Sequence, residues 1–138
     1  MSRLSAFLHP TVMQVEDEIV ISKRFLDEQG APVPFKVRSL TQEENDALIK
    51  RSTHAVKDRN GQLQERLNNI EYTQRLVVAA TVEPDFSAKE LCDAYGVLDP
   101  LQVPGKMLFP GEYRALSEKI MELSGFDDSA AVEDEAKN

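Results

Sequence analysis

KMLFPGEYRALSEKIMELSGF, Lys106 to Phe126, carries the start and stop signals of a complete helix. Pro110 suits the first helical position, where its missing N–H costs nothing. Glu112 stands in the first turn, where a negative charge complements the helix dipole. Gly125 can adopt the left-handed conformation that ends a helix, and Phe126 can then fold back on Met121. Phe109, Tyr113, Leu116, Ile120 and Leu123 recur at three- and four-residue spacing, which predicts one apolar stripe. None of these side chains does chemistry. The best-defined element of the chain is a packing element, and the fold is read outward from it.

Upstream, Phe86-Ser87-Ala88-Lys89-Glu90-Leu91 reads as a helix start, with Ser87 as cap, Glu90 as its reciprocal partner and Phe86–Leu91 as hydrophobic staple. That helix is expected to end near Tyr95, before Gly96. Asp99 to Gln102 starts one further turn, closed by Pro104-Gly105. A longer helix is expected from about Leu67 to Val82. Leu67, Ile70, Gln74, Val77 and Thr81 define one face, and Leu76 to Ala80 is apolar all round, as in a central buried helix. Glu83-Pro84 stops it, because the residue before proline avoids the helical region.

Thr41 and Glu44 form another capping box, for a helix running to about Ser52 with Ala47, Leu48 and Ile49 inward. Between these helices Asp58-Arg59-Asn60-Gly61 is a strong turn signal. Its weakly alternating flanks read as a polar hairpin or, alternatively, as a helical hairpin. Nearer the N-terminus, Ile19 to Phe25 and Val33 to Ser39 alternate as strands around a turn at Leu26 to Pro32. A lone hairpin is marginal in water, so it must lie on the helices or join another strand. Met1 to Pro10 places Leu4, Phe7 and Leu8 on one helical face, too short to be stable alone and expected to dock on the body or, alternatively, to await a partner. The fold class is therefore α+β and mainly α. A single helical domain with an N-terminal β-hairpin occupies residues 1–126, and residues 127–138 form a disordered acidic tail.

Composition narrows the function classes. The net charge is −8, which disfavours non-specific nucleic-acid binding and favours solubility. No apolar run approaches the ~20 residues needed to cross a bilayer. The first residues do not form a signal peptide, so the expected location is the cytoplasm. Cys92 is the only cysteine. It is expected to be a buried structural thiol, since no basic neighbour in sequence lowers its pKa. His9 and His54 fall on separate segments and make no zinc set. No glycine-rich phosphate loop or nucleophile elbow is present. The expectation is a protein without catalytic, metal or cofactor site. What remains are apolar residues that a small domain can leave uncovered. Phe7, Met107, Leu108, Phe109, Met121 and Phe126 are the candidate partner-binding residues.

The order of features also resembles a known family. Ser39-Leu-Thr-Gln-Glu-Glu44 opens a helix after an extended region. Ala80-Thr-Val-Glu-Pro-Asp-Phe86, Glu90-Leu91 and Tyr95-Gly96 follow. Met107-Leu108, Pro110-Gly-Glu-Tyr113 and Leu123-Ser-Gly-Phe126 close the series. On these motifs the chain resembles the XkdN-like tail assembly chaperones of long-tailed phages and prophages. The resemblance implies a small non-catalytic protein that binds the tape measure protein and keeps it soluble until the tail tube polymerises. The tail tube protein is a further candidate partner. A structural tail or connector subunit, and an adaptor unrelated to phage, are the competing readings.

Overall fold

The computed structural model describes residues 3–126. The acidic tail expected from Asp127 onward lies outside the described residues. The described fold is α+β. It runs α1 (Arg3–Leu8), β1 (Glu16–Ile19), β2 (Phe35–Arg38), α2 (Gln42–Ser52), β3 (Thr53–Lys57), β4 (Leu63–Leu67), α3 (Asn69–Ala80) and β5 (Thr81–Glu83). It continues through α4 (Lys89–Ala94), a 3₁₀ turn (Pro100–Gln102), α5 (Val103–Met107) and α6 (Pro110–Leu123).

The N-terminal strands pair antiparallel, but not where apolar alternation placed the first one. β1 is the acidic Glu16–Ile19, and the chain leaves the sheet where the alternation was expected to begin. Its register sets Glu16 opposite Arg38 and Glu18 opposite Lys36. Lys36 Nζ also lies 3.5 Å from Glu16 Oε2. Opposite charges across a strand pair thus select a register that hydrophobicity did not signal. Ile21 and Phe25 still reach the core, from the excursion between the strands. Within that excursion Leu26 bridges Pro32, and Gly30 adopts a positive φ of 81°.

The third strand the hairpin needs is β5. Thr81–Glu83 leaves the end of α3 and pairs with β2, giving the order β1-β2-β5. The long helix is therefore shorter than expected, Asn69–Ala80 rather than Leu67 to Val82. β-branched Thr81 and Val82 are accommodated in the sheet instead of the last helical turn. Burial of α3 is one-sided: Leu76, Val77 and Ala80 are buried, while Ala79 is exposed.

The core lies between this sheet and the helices. Phe35 and Val37 project from central β2, Leu76, Val77 and Ala80 from α3, Val103 from α5, and Leu116 and Ile120 from α6. Phe86 fills the centre with its ring 6.5 Å from that of Phe35, and Phe25 lies on the other side at 5.7 Å. The stripe expected on α6 is present from Tyr113 to Leu123, with Tyr113 and Leu123 partly buried beside Leu116 and Ile120, but Phe109, the cap residue, stays exposed. Gly125 carries the expected positive φ, 89°. Cys92 is buried, its Sγ 3.6 Å from the Phe86 carbonyl.

Local signals succeeded unevenly. The Thr41–Glu44 capping box forms: Thr41 Oγ1 accepts from Glu44 N, and Glu44 Oε1 accepts from Thr41 N at 3.1 Å. On α2, however, Leu48 is buried while Ala47 and Ile49 are exposed. The second box does not form. The cap of α4 is Ala88, and the Ser87 backbone N–H donates instead to Asp85 Oδ1. Asp85 competes for the turn as acidic and amide side chains commonly do. Pro104 and Gly105 do not close a turn but lie inside α5, with proline in its first positions. The Asp58–Gly61 turn joins β3 to β4, so that region is the strand hairpin. α1 has no buried residue, so it is not packed into the core.

Candidate partner-binding groove

Asn68 caps α3, its Oδ1 accepting from Glu71 N at 3.0 Å. The first turn this creates lifts Ile70 off the core: 76% of the residue is exposed. One and two turns on, the same face reaches Gln74 and then buried Val77. Burial on this face therefore sets in only toward its C-terminal end. α6 borders α3 on this side. Its first two turns present Tyr113, Arg114 and Ser117, and Pro110 stands at its start.

Between them is an open groove of about 580 Å³, lined by Ile70, Gln74, Gly105, Leu108, Pro110, Tyr113, Arg114 and Ser117. A recess of about 320 Å³, bounded by Asn69, Ile70, Thr73 and Tyr113, adjoins it. Leu108 is nearly buried and belongs to the floor, while Ile70 and Pro110 stand at the rim. Burial pushes the Tyr113 hydroxyl above its usual pKa, so it is a neutral donor and acceptor at physiological pH. Arg114 forms no ion pair among the described residues, leaving a cation at the edge of an apolar trough. A groove between two helices with Leu108 in its floor and a rim that mixes apolar Ile70 and Pro110 with polar Gln74 and Arg114 suits an amphipathic helix laid in by its apolar face.

One arginine fixes the start of α6. Arg24 is paired with Glu112, donates from Nη2 to the Met107 carbonyl at 3.0 Å, and lies 4.0 Å from the centre of the Phe109 ring. Glu112 Oε1 also accepts from Phe109 N at 2.8 Å, completing the N-terminal cap. The Arg24 hydrogen bond, aided by those from Ser22 and Phe109, holds the Glu112 carboxyl at about 2. These contacts hold the chain that enters the groove floor at Leu108.

The six residues singled out from sequence do not form one surface. Leu108 lines the groove. Phe109 is 59% exposed, next in sequence to the rim residue Pro110, with its ring against Arg24. Met107 is buried, and Met121 is half-buried against the core. Phe126 borders a separate recess with Leu40, Thr41, Gln42 and Asn45. Phe7 is 81% exposed on α1. Ile70 is a groove residue that sequence reading did not single out. The signal available was its position beside the cap, where a helix is least packed.

Among the described residues no group of three or more His, Cys, Asp or Glu could hold a metal ion. Among the described residues the one histidine–carboxylate ion pair is His54 with Glu71, Nε2 to Oε2 at 2.5 Å. It ties β3 to α3 and lies on the surface.

A family model described as phage XkdN-like tail assembly chaperone protein matches residues 4–137. The chain belongs to the XkdN-like tail assembly chaperone family. It is 40% identical over 140 residues to the uncharacterized protein YqbN of Bacillus subtilis strain 168, covering 98% of this chain and 93% of that one. It is 36% identical, with the same coverage, to XkdN of the phage-like element PBSX from the same organism. The crystal structure of YqbN superposes with a TM-score of 0.75 at 34% identity, covering 91% of this chain and 98% of that one. Among the described residues no helix is long and apolar enough to cross a membrane.

Proposed function

We propose that this tail assembly chaperone binds the tape measure protein of its own phage or prophage in the host cytoplasm and keeps it soluble until the tube polymerises. The observation that carries the reading is the groove between α3 and α6, seen in a member of a chaperone family. A tape measure protein offers long helices with apolar stripes. A stripe of residues at helical spacing would lie over Ile70, Leu108, Pro110 and Tyr113, removing apolar surface from water on both partners. The role needs no catalytic group. It does need a complex that stays dispersed, which a net charge of −8 supports.

Co-expression with the tape measure protein tests this directly. The partner should move from the insoluble to the soluble fraction and co-purify with the chaperone, and purified particles should contain little of this chain. Recovery of the chain in stoichiometric amounts from mature tails would overturn the chaperone reading in favour of a structural subunit. A tape measure protein that stays insoluble would remove the proposed partner.

A further inference from the structure

Among the described residues, neither the groove between α3 and α6 nor its adjoining recess is lined by an acid, although the chain carries a net charge of −8. The polar residues of the groove are Gln74, Tyr113, Arg114 and Ser117. Ser117 is used internally, its Oγ donating to the Arg114 carbonyl at 3.0 Å. The side chains of Gln74, Tyr113 and Arg114 make no hydrogen bond or ion pair with another described residue. The other cations of these two helices are held: Arg75 of α3 by Glu71, and Lys119 of α6 by Asp17. The acids nearest Arg114 in sequence do not take it up. Glu112 is paired with Arg24. Glu118 stands four residues on, the spacing at which helical ion pairs form, yet no such pair is made. Arg114 itself is exposed.

A guanidinium has donors and no acceptor, and its planar fork matches a carboxylate with two parallel hydrogen bonds. The Gln74 amide and the neutral Tyr113 hydroxyl add donors to the same groove. The set is therefore built to receive an acceptor, and an anionic one above all. A helix lying over Ile70, Leu108 and Pro110 by its apolar stripe brings its own polar flanks against the rim. An Asp or Glu three or four positions from an apolar contact stands beside it on the helix surface, within reach of Arg114. A polyanion such as nucleic acid is the wrong ligand, because its phosphates require several cations and repel the acidic chain. A helix with a basic flank meets the opposite conflict. The net charge attracts it, but Arg114 repels it in the groove. The local charge thus discriminates against the partner that the net charge favours, which fixes how a helix lies.

We propose that the groove selects helices whose apolar stripe is bordered by a carboxylate, and that Arg114 receives that carboxylate. The inference rests on the groove being the surface that binds the tape measure protein. The probes are overlapping synthetic peptides covering the tape measure protein encoded with this chain, titrated against the full-length chaperone. Peptides that bind should carry Asp or Glu beside an apolar stripe. For the tightest of them, changing that acid to its amide should weaken binding about threefold to tenfold, and so should Arg114→Gln in the chaperone. The two changes together should cost little more than either alone, because they remove the same contact. Arg114→Glu should weaken binding further, and a peptide with Lys in place of its acid should regain affinity for that variant while losing it for wild type. Arg114 is exposed, so both variants should melt close to wild type. If Ile70→Asp weakened binding while both Arg114 variants bound as wild type does, this inference would fall and the groove would stand. Effects of the peptide acid and of Arg114 that simply add would also overturn it, as would a preference for peptides with basic flanks. If no peptide bound the wild-type chain, the reading of the groove would fall and this inference with it.

Discussion

The two sheets of this protein are both short and antiparallel, yet they treat their residues in opposite ways. In β1-β2-β5 the central strand buries Phe35 and Val37 completely or nearly so, and the flanking cations are paired. In β3-β4 every residue but Thr53 is exposed, and no cation is paired. The first sheet is part of the core. The second is held by its turn, by its own strand pairing and by the His54–Glu71 link to α3, and it adds little to the buried core. Strand pairing alone therefore does not tell structure from presented surface; burial and charge partnering do.

The strongest way to break this contrast is a charge placed on each side of it. Val77→Asp puts an unpaired carboxylate in the hydrophobic core, where Val77 is fully buried. It should cost roughly 3 kcal/mol or more, enough to unfold a marginal domain. Val56→Asp, on the exposed hairpin, should change stability by less than about 0.5 kcal/mol. A thermal melt of Val77→Asp close to wild type would show that the core is misplaced.

Acid should act on the packed part in the same sense. Arg38, with the Thr41 backbone N–H, holds the Glu44 carboxyl at about 2, and Arg24 does the same for Glu112. Both lie below the 4.5 expected when unfolded, so protonation favours unfolding. Their contribution is complete above about pH 4.5 and lost as pH falls to about 2. Denaturation midpoints measured between pH 6 and 2.5 should decline below about 4.5, and Glu44→Gln should flatten part of that decline. Midpoints that rise on acidification would contradict the assignment.

Thr41→Ala, which removes the cap of α2, should cost about 1 kcal/mol in a denaturant melt. The smallest effect should come from deleting Asp128 to Asn138. The segment has little apolar surface to bury, so the melting temperature should stay within about 2 °C of wild type. A loss of ten degrees or so would place that segment in the packed part of the molecule.

How much of this was legible in the sequence follows from which interactions are local. The α2 cap and the α6 ends were readable because Thr41, Glu44, Pro110, Glu112 and Gly125 act within a few residues of themselves. The Asp58–Gly61 turn was readable for the same reason. β5 was not, because Thr81–Glu83 becomes a strand only through its pairing with β2, more than forty residues away. β1 was misplaced because its register rests on charges across the sheet rather than on apolar alternation. The groove was half legible. Leu108 was singled out, but Ile70 was not: it follows the helical periodicity of α3, and its place in the first turn beside the Asn68 cap leaves it uncovered. Met107 has the composition of a binding surface and the position of a core residue, and sequence pattern cannot separate the two.

The groove is most directly tested by the affinity of the tape measure protein for Ile70→Asp relative to the wild-type chaperone. Ile70 is exposed, so the variant should melt within about 0.5 kcal/mol of wild type. If an apolar helical stripe lies over α3 and α6, a charge at this position should weaken binding by at least about tenfold, near 1.4 kcal/mol. Unchanged affinity in a correctly folded variant would contradict the account and move the binding surface elsewhere on the molecule.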